Sequence, residues 1–73
     1  MIYRVSVERN DTVLYVSTIL DEKVKEDIVF AFYLYKDGNR VNTVCYQKEN
    51  NTVFPISDAG IYKVKGFIKY KSP

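Results

Sequence analysis

The stretch Ile28-Val29-Phe30-Ala31-Phe32-Tyr33-Leu34-Tyr35-Lys36-Asp37-Gly38-Asn39 decides the fold class. Its residues alternate at the period of a strand, with Phe30, Phe32 and Leu34 on one face. Val29, Ala31, Tyr33 and Tyr35 form the other. Both faces are apolar, so the segment reads as a central strand. Asp37-Gly38 then supplies the positive φ angles of a tight hairpin, and residues 40–47 return antiparallel.

The same punctuation continues in both directions. Upstream, residues 2–8 alternate with Tyr3, Val5 and Val7 on one face. Residues 9–11 turn, and residues 12–20 form a second strand with apolar residues on both sides, so part of each is expected to be covered. Residues 21–27 are charged around Val24 and read as a solvated loop or one helical turn. Downstream, Lys48-Glu49-Asn50-Asn51 turns into a short strand at residues 52–57, whose Pro55 suits an edge position or a strand end. Asp58-Ala59-Gly60 turns again, and residues 61–71 form the last strand.

Composition agrees. Val, Ile and Thr fill 20 of the 73 positions and Tyr and Phe another 11, against five for Ala and Leu. Branched and aromatic side chains fit a pleated surface, whereas the best helix formers are nearly absent. The expected fold is one all-β domain over residues 1–73, built from six strands. A chain of this size buries only about 60% of its unfolded surface, so its core is small. No apolar run approaches the ~18 residues of a membrane span. The Met1 end has no charged-then-apolar leader. A secreted protein with this beginning would have lost its signal or would belong to a longer parent chain.

The string Asp58-Ala59-Gly60-Ile61-Tyr62 resembles the tyrosine-corner turn that enters strand F of immunoglobulin-like sandwiches. The segment from Phe32 to Gly38 similarly resembles a strand C and its turn. The Cys two residues past the corner Tyr is here Val64, and Leu34 stands about where the core Trp would lie. Together, residues 28–71 look like the small sandwich modules attached to bacterial sensors and polysaccharide-processing proteins. The resemblance implies a non-catalytic accessory or interaction module in the bacterial cytoplasm or cell envelope. A protein, glycan or neighbouring-domain partner follows from it, with structural roles for Asp37, Gly38, Asp58, Gly60 and Tyr62. A complete sandwich of this type has seven strands. Six leave an edge that a neighbour can complete or that can pair with a second copy.

The chemistry of the chain points away from an enzyme and from any cofactor. There is no His, which removes the usual partner of a nucleophile and the usual zinc clusters. The single Cys, Cys45, sits in mid-strand and is expected to be buried and inert. The nine acids fall almost entirely in turns. Asp21, Glu22, Glu26 and Asp27 lack the ligand spacing and Gly of a calcium loop. Asn10-Asp11-Thr12 and Asn50-Asn51-Thr52 match the glycosylation sequon, a match too short to carry weight alone.

Two groups of residues remain as binding candidates. On the last strand Lys63, Lys65, Phe67, Lys69 and Lys71 share one parity, and no acid follows Asp58. Such a strip can track a polyanion, either single-stranded nucleic acid or an acidic glycan. It is also the ordinary guard of an edge strand, and a bulge at Gly66 would turn Phe67 inward. The net charge of only +2 weighs against nucleic acid. The second group is Tyr33, Tyr35 and Tyr46, which flank the Asp37-Gly38 hairpin. Most of the seven tyrosines are expected to fill the core with their hydroxyls reaching water.

Overall fold

The structure, a computed structural model, describes residues 2–21, 23, 27–57 and 59–71. Asp58 of the corner-like string and Glu22 and Glu26 of the acidic loop lie outside the described residues. The described residues form six strands: β1 (Tyr3–Asn10), β2 (Val13–Leu20), β3 (Ile28–Lys36), β4 (Asn39–Gln47), β5 (Asn51–Pro55) and β6 (Tyr62–Tyr70). They make two antiparallel three-stranded sheets, ordered β1-β2-β5 and β4-β3-β6. The fold is all-β, a small two-sheet sandwich. No helix among the described residues is long and apolar enough to cross a membrane.

Each sheet contributes its central strand to the core. Leu14, Val16 and Thr18 point inward from β2, Phe30, Phe32 and Leu34 from β3, and Phe54 and Ile56 join from β5 and just beyond it. Phe32, flanked in register by Val44 and Gly66, is 0% exposed. Pro55 closes β5, an edge strand, where its missing N–H costs no ladder bond. At the β3–β4 hairpin Asp37 and Gly38 both have positive φ, 50° and 87°, as a tight primed turn requires. Asp37 also ties this turn to the start of β6. Its carboxylate Oδ1 accepts from the Ile61 N–H and its own N–H donates to the Ile61 carbonyl, both at 2.9 Å.

Gly66 has a specific reason to lack a side chain. A Cβ there would lie 2.5 Å from Cγ2 of Val5, so its absence lets β1 settle onto β6 across the two sheets. Beside this contact lies Thr18, which is fully buried and whose hydroxyl has no hydrogen-bond partner among the described residues. Removing an unpaired buried hydroxyl relieves its desolvation cost. Thr18→Val is therefore expected to raise stability by about 1 kcal/mol, read as a higher urea midpoint at unchanged slope. A drop in midpoint would show that the hydroxyl has a partner after all.

Two sequence expectations are corrected. Cys45 is exposed, not buried. The β3/β4 register passes from Phe32↔Val44 to Phe30↔Gln47, so Cys45 and Tyr46 together stand opposite Ala31 in a bulge of an edge strand. None of the seven tyrosines is fully buried; the core is Phe, Leu, Val and Ile. On the outer face of β2, Val13 and Ser17 are half-buried while Tyr15 and Ile19 are exposed, so that face is covered only in part.

Candidate cationic and aromatic sheet face

The pairing of β3 with β6 is unbroken from Ile28↔Tyr70 to Lys36↔Tyr62. Gly66 therefore introduces no bulge, and parity is kept along the whole strand. Tyr62, Val64, Gly66, Ile68 and Tyr70 share the inner face with Phe30, Phe32 and Leu34. Lys63, Lys65, Phe67 and Lys69 point outward, directly across from Tyr35, Tyr33, Ala31 and Val29 respectively. The two candidate groups, read separately from the sequence, thus form one surface. On the other side of β3, Arg40 is in register with Tyr35 and Thr43 with Tyr33, and the bulge carries Tyr46 onto the same face.

Cations and rings interleave on this face. The Arg40 guanidinium carbon lies 4.6 Å from the Tyr33 ring centre, Nζ of Lys65 lies 5.1 Å from that of Tyr35, and Nζ of Lys69 lies 4.3 Å from that of Tyr46. Each is within reach of the attraction between a cation and the negative face of an aromatic ring. Tyr33 packs on Phe67 at 4.8 Å and edge-on to Tyr35 at 6.5 Å. Half-buried rings at the middle of the face thus form a floor, while Arg40, Lys63, Lys65 and Lys69 are exposed above it. Lys71 lies just past β6, its N–H donating to the Asp27 carbonyl at 2.9 Å, and is also exposed.

Charge is segregated between the sheets. β3, β4 and β6 hold Lys36, Arg40, Lys63, Lys65 and Lys69 and no Asp or Glu, whereas β1 mixes Arg4 and Arg9 with Glu8. Two acids flank β3 in the chain, one at each end: Asp27, whose carbonyl accepts from the Lys71 N–H, and Asp37, whose carboxylate accepts from the Ile61 N–H at the end of the hairpin. The face is therefore a local positive field on a protein of nearly neutral charge, which the overall balance hides.

The residues of the corner-like string divide. Tyr62 is half-buried and packs against the core, with Nζ of Lys36 6.0 Å from its ring centre, and Gly60 is exposed beside the Lys36 and Asp37 side chains. Among the described residues no three His, Cys, Asp or Glu side chains gather where they could hold a metal ion. Arg40 is the member of the face that sequence reading missed. Its signal was its place two residues after Gly38, where a two-residue hairpin returns a side chain to the face of Tyr35. Comparison with protein-family models, with curated proteins and with solved structures gives no match for this chain.

Proposed function

We propose that this domain is a non-catalytic binding module that holds an acidic polysaccharide along the outer face of the β4-β3-β6 sheet. One observation carries the reading: four exposed cations interleave with Tyr33, Tyr35, Tyr46 and Phe67 on a sheet whose strands contain no carboxylate. Same-face residues of a strand repeat every ~6.8 Å, so Lys63, Lys65 and Lys69 present charges along one line, as a linear polyanion would meet them. Single-stranded nucleic acid is the weaker fit. Stacked bases need successive bare ring faces, and here three of the rings already lie beneath a cation. A sugar chain asks less of the rings: its acidic groups meet the cations while its C–H surfaces lie against the ring edges.

The strand order supports the accessory-module reading. The order β1-β2-β5 with β4-β3-β6 is what an immunoglobulin-like sandwich would keep if its last strand, beside β6, were omitted. On that reading the domain is an accessory piece of a larger bacterial protein that binds or processes surface polysaccharide. The test is an amide NMR titration with an acidic oligosaccharide, its neutral counterpart and single-stranded DNA, each at low and physiological salt. The acidic sugar is expected to shift Arg40, Tyr46, Lys63, Lys65, Phe67 and Lys69, with weaker binding as salt rises. Shifts with DNA alone would transfer the face to nucleic acid. Silence from all three ligands would remove the polyanion reading.

A further inference from the structure

We propose that the edge of β6, which pairs with no further strand among the described residues and lies beside the half-exposed inner side of β1, accepts one additional β-strand from a partner protein, with apolar and acidic side chains in alternation. Neither the ligand of the sheet face nor the family resemblance enters this inference.

The backbone fixes which groups are on offer. At the two ends of the β3/β6 ladder the Asp37 N–H donates to the Ile61 carbonyl and the Lys71 N–H to the Asp27 carbonyl. With the register unbroken between them, the odd-numbered residues of β6 turn their backbone groups toward β3. The even-numbered residues turn theirs away. Independently, the Gly66 carbonyl accepts from the Tyr3 hydroxyl at 3.2 Å, and so faces away from β3 as this parity demands. β6 is the last strand of its sheet, so the N–H groups of Val64, Gly66 and Ile68 meet no further strand among the described residues.

The side chains around this edge specify the occupant. Val7 and Tyr3 stand on the inner face of β1, opposite buried Val16 and half-buried Leu20, yet remain 46% and 41% exposed. Val5 is settled on Gly66 and the Tyr3 hydroxyl caps the Gly66 carbonyl, an acceptor that an incoming strand would take over from Tyr3. A strand added along β6 would set its inward residues beside Val7 and Tyr3, which calls for apolar side chains. Its outward residues would adjoin Lys63, Lys65 and Lys69, on a sheet without a carboxylate, which calls for Asp or Glu.

The same charges disfavour a second copy of this chain on its own β6. Any antiparallel two-fold register centred from Val64 to Ile68 sets a lysine of one copy across from a lysine of the other, Lys63 against Lys69 when centred on Gly66. Like charges directly opposite are destabilising. The stretch on offer, from Val64 to Ile68, suits an extended segment of about five to seven residues.

The experiment is hydrogen exchange of the 73-residue chain, read by NMR, with a capped heptapeptide alternating glutamate and valine. Exchange of the Val64, Gly66 and Ile68 amides is expected to slow by about tenfold at peptide concentrations ten times Kd, while the Lys65 and Phe67 amides, already bonded to β3, change little. A lysine–valine peptide should fail on the native chain. The Lys63→Glu/Lys65→Glu variant, altered only at exposed positions, should reverse that preference. No slowing at millimolar peptide overturns the proposal, as does equal binding of both peptides. Protection that grows with protein concentration alone would assign the edge to a second copy and overturn it too.

Discussion

Truncating Phe32 to alanine is expected to remove most of the stability of this domain. Phe32 sits at the middle of β3, 0% exposed, with Leu14, Val16 and Phe54 of the facing sheet in the same core cluster. Emptying such a site loses the transfer free energy of the ring and leaves a cavity, at a cost of about 3–5 kcal/mol. A 73-residue domain holds only about 4–11 kcal/mol in total. The variant should unfold at a urea concentration lower by about 2 M or more, or show a collapsed amide spectrum without denaturant. Val53→Ala provides the contrast: Val53 points outward from β5 and is 49% exposed, so its loss should stay within about 0.5 kcal/mol. Similar costs at the two positions would mean that the sheets do not close over Phe32, and the sandwich would be wrong.

The face shared by Phe30, Phe32 and Leu34 was legible because alternation sorts a strand's residues without knowledge of pairing, but with both faces apolar it did not say which one turns inward. The expected strand at residues 28–36 has the bounds observed for β3, and Phe30, Phe32 and Leu34 are the side chains that point inward. The Asp37-Gly38 turn was equally readable, since few residue pairs accept positive φ at both positions. Neighbours were another matter. Tyr33 and Lys65 are far apart in sequence, and each was assigned to a face of its own strand; only the β3/β6 register shows that the two faces are one.

The tyrosines were misjudged for a reason of capacity. Two three-stranded sheets enclose few interior places, and Phe30, Phe32 and Phe54 take the aromatic ones without a hydroxyl to satisfy. The tyrosines were left for the half-buried and outer positions, which is what makes an aromatic floor available beneath the cations. Cys45 failed differently. Its expected burial rested on the general habit of free Cys. An extra residue at Val41 shifts the parity of β4, so that Val44 faces inward opposite Phe32 and Cys45 outward. Such an irregularity leaves no trace in composition or alternation.

The second large effect is on binding. Replacing Lys63, Lys65 and Lys69 together by glutamine is expected to weaken acidic oligosaccharide by about thirtyfold at low salt, or about 2 kcal/mol for three exposed charge contacts. The salt dependence should flatten in the same variant, because three of the screened interactions are gone. Glutamine keeps part of each stem over the rings, so the fold should survive with only the modest loss of two cation–ring contacts, Lys65 on Tyr35 and Lys69 on Tyr46. The decisive control changes net charge by the same amount elsewhere. Arg4 and Arg9 lie on β1 and Lys48 on the β4–β5 turn, all exposed and none in the β4-β3-β6 sheet. Their joint replacement by glutamine should alter affinity by less than about twofold if the arrangement of charge on one face is what the ligand reads. An equal loss in both triple variants would reduce the effect to net charge and leave the rings without a role. Loss confined to the β6 variant, with Phe67→Ala weakening it further, would tie binding to the interleaved surface itself.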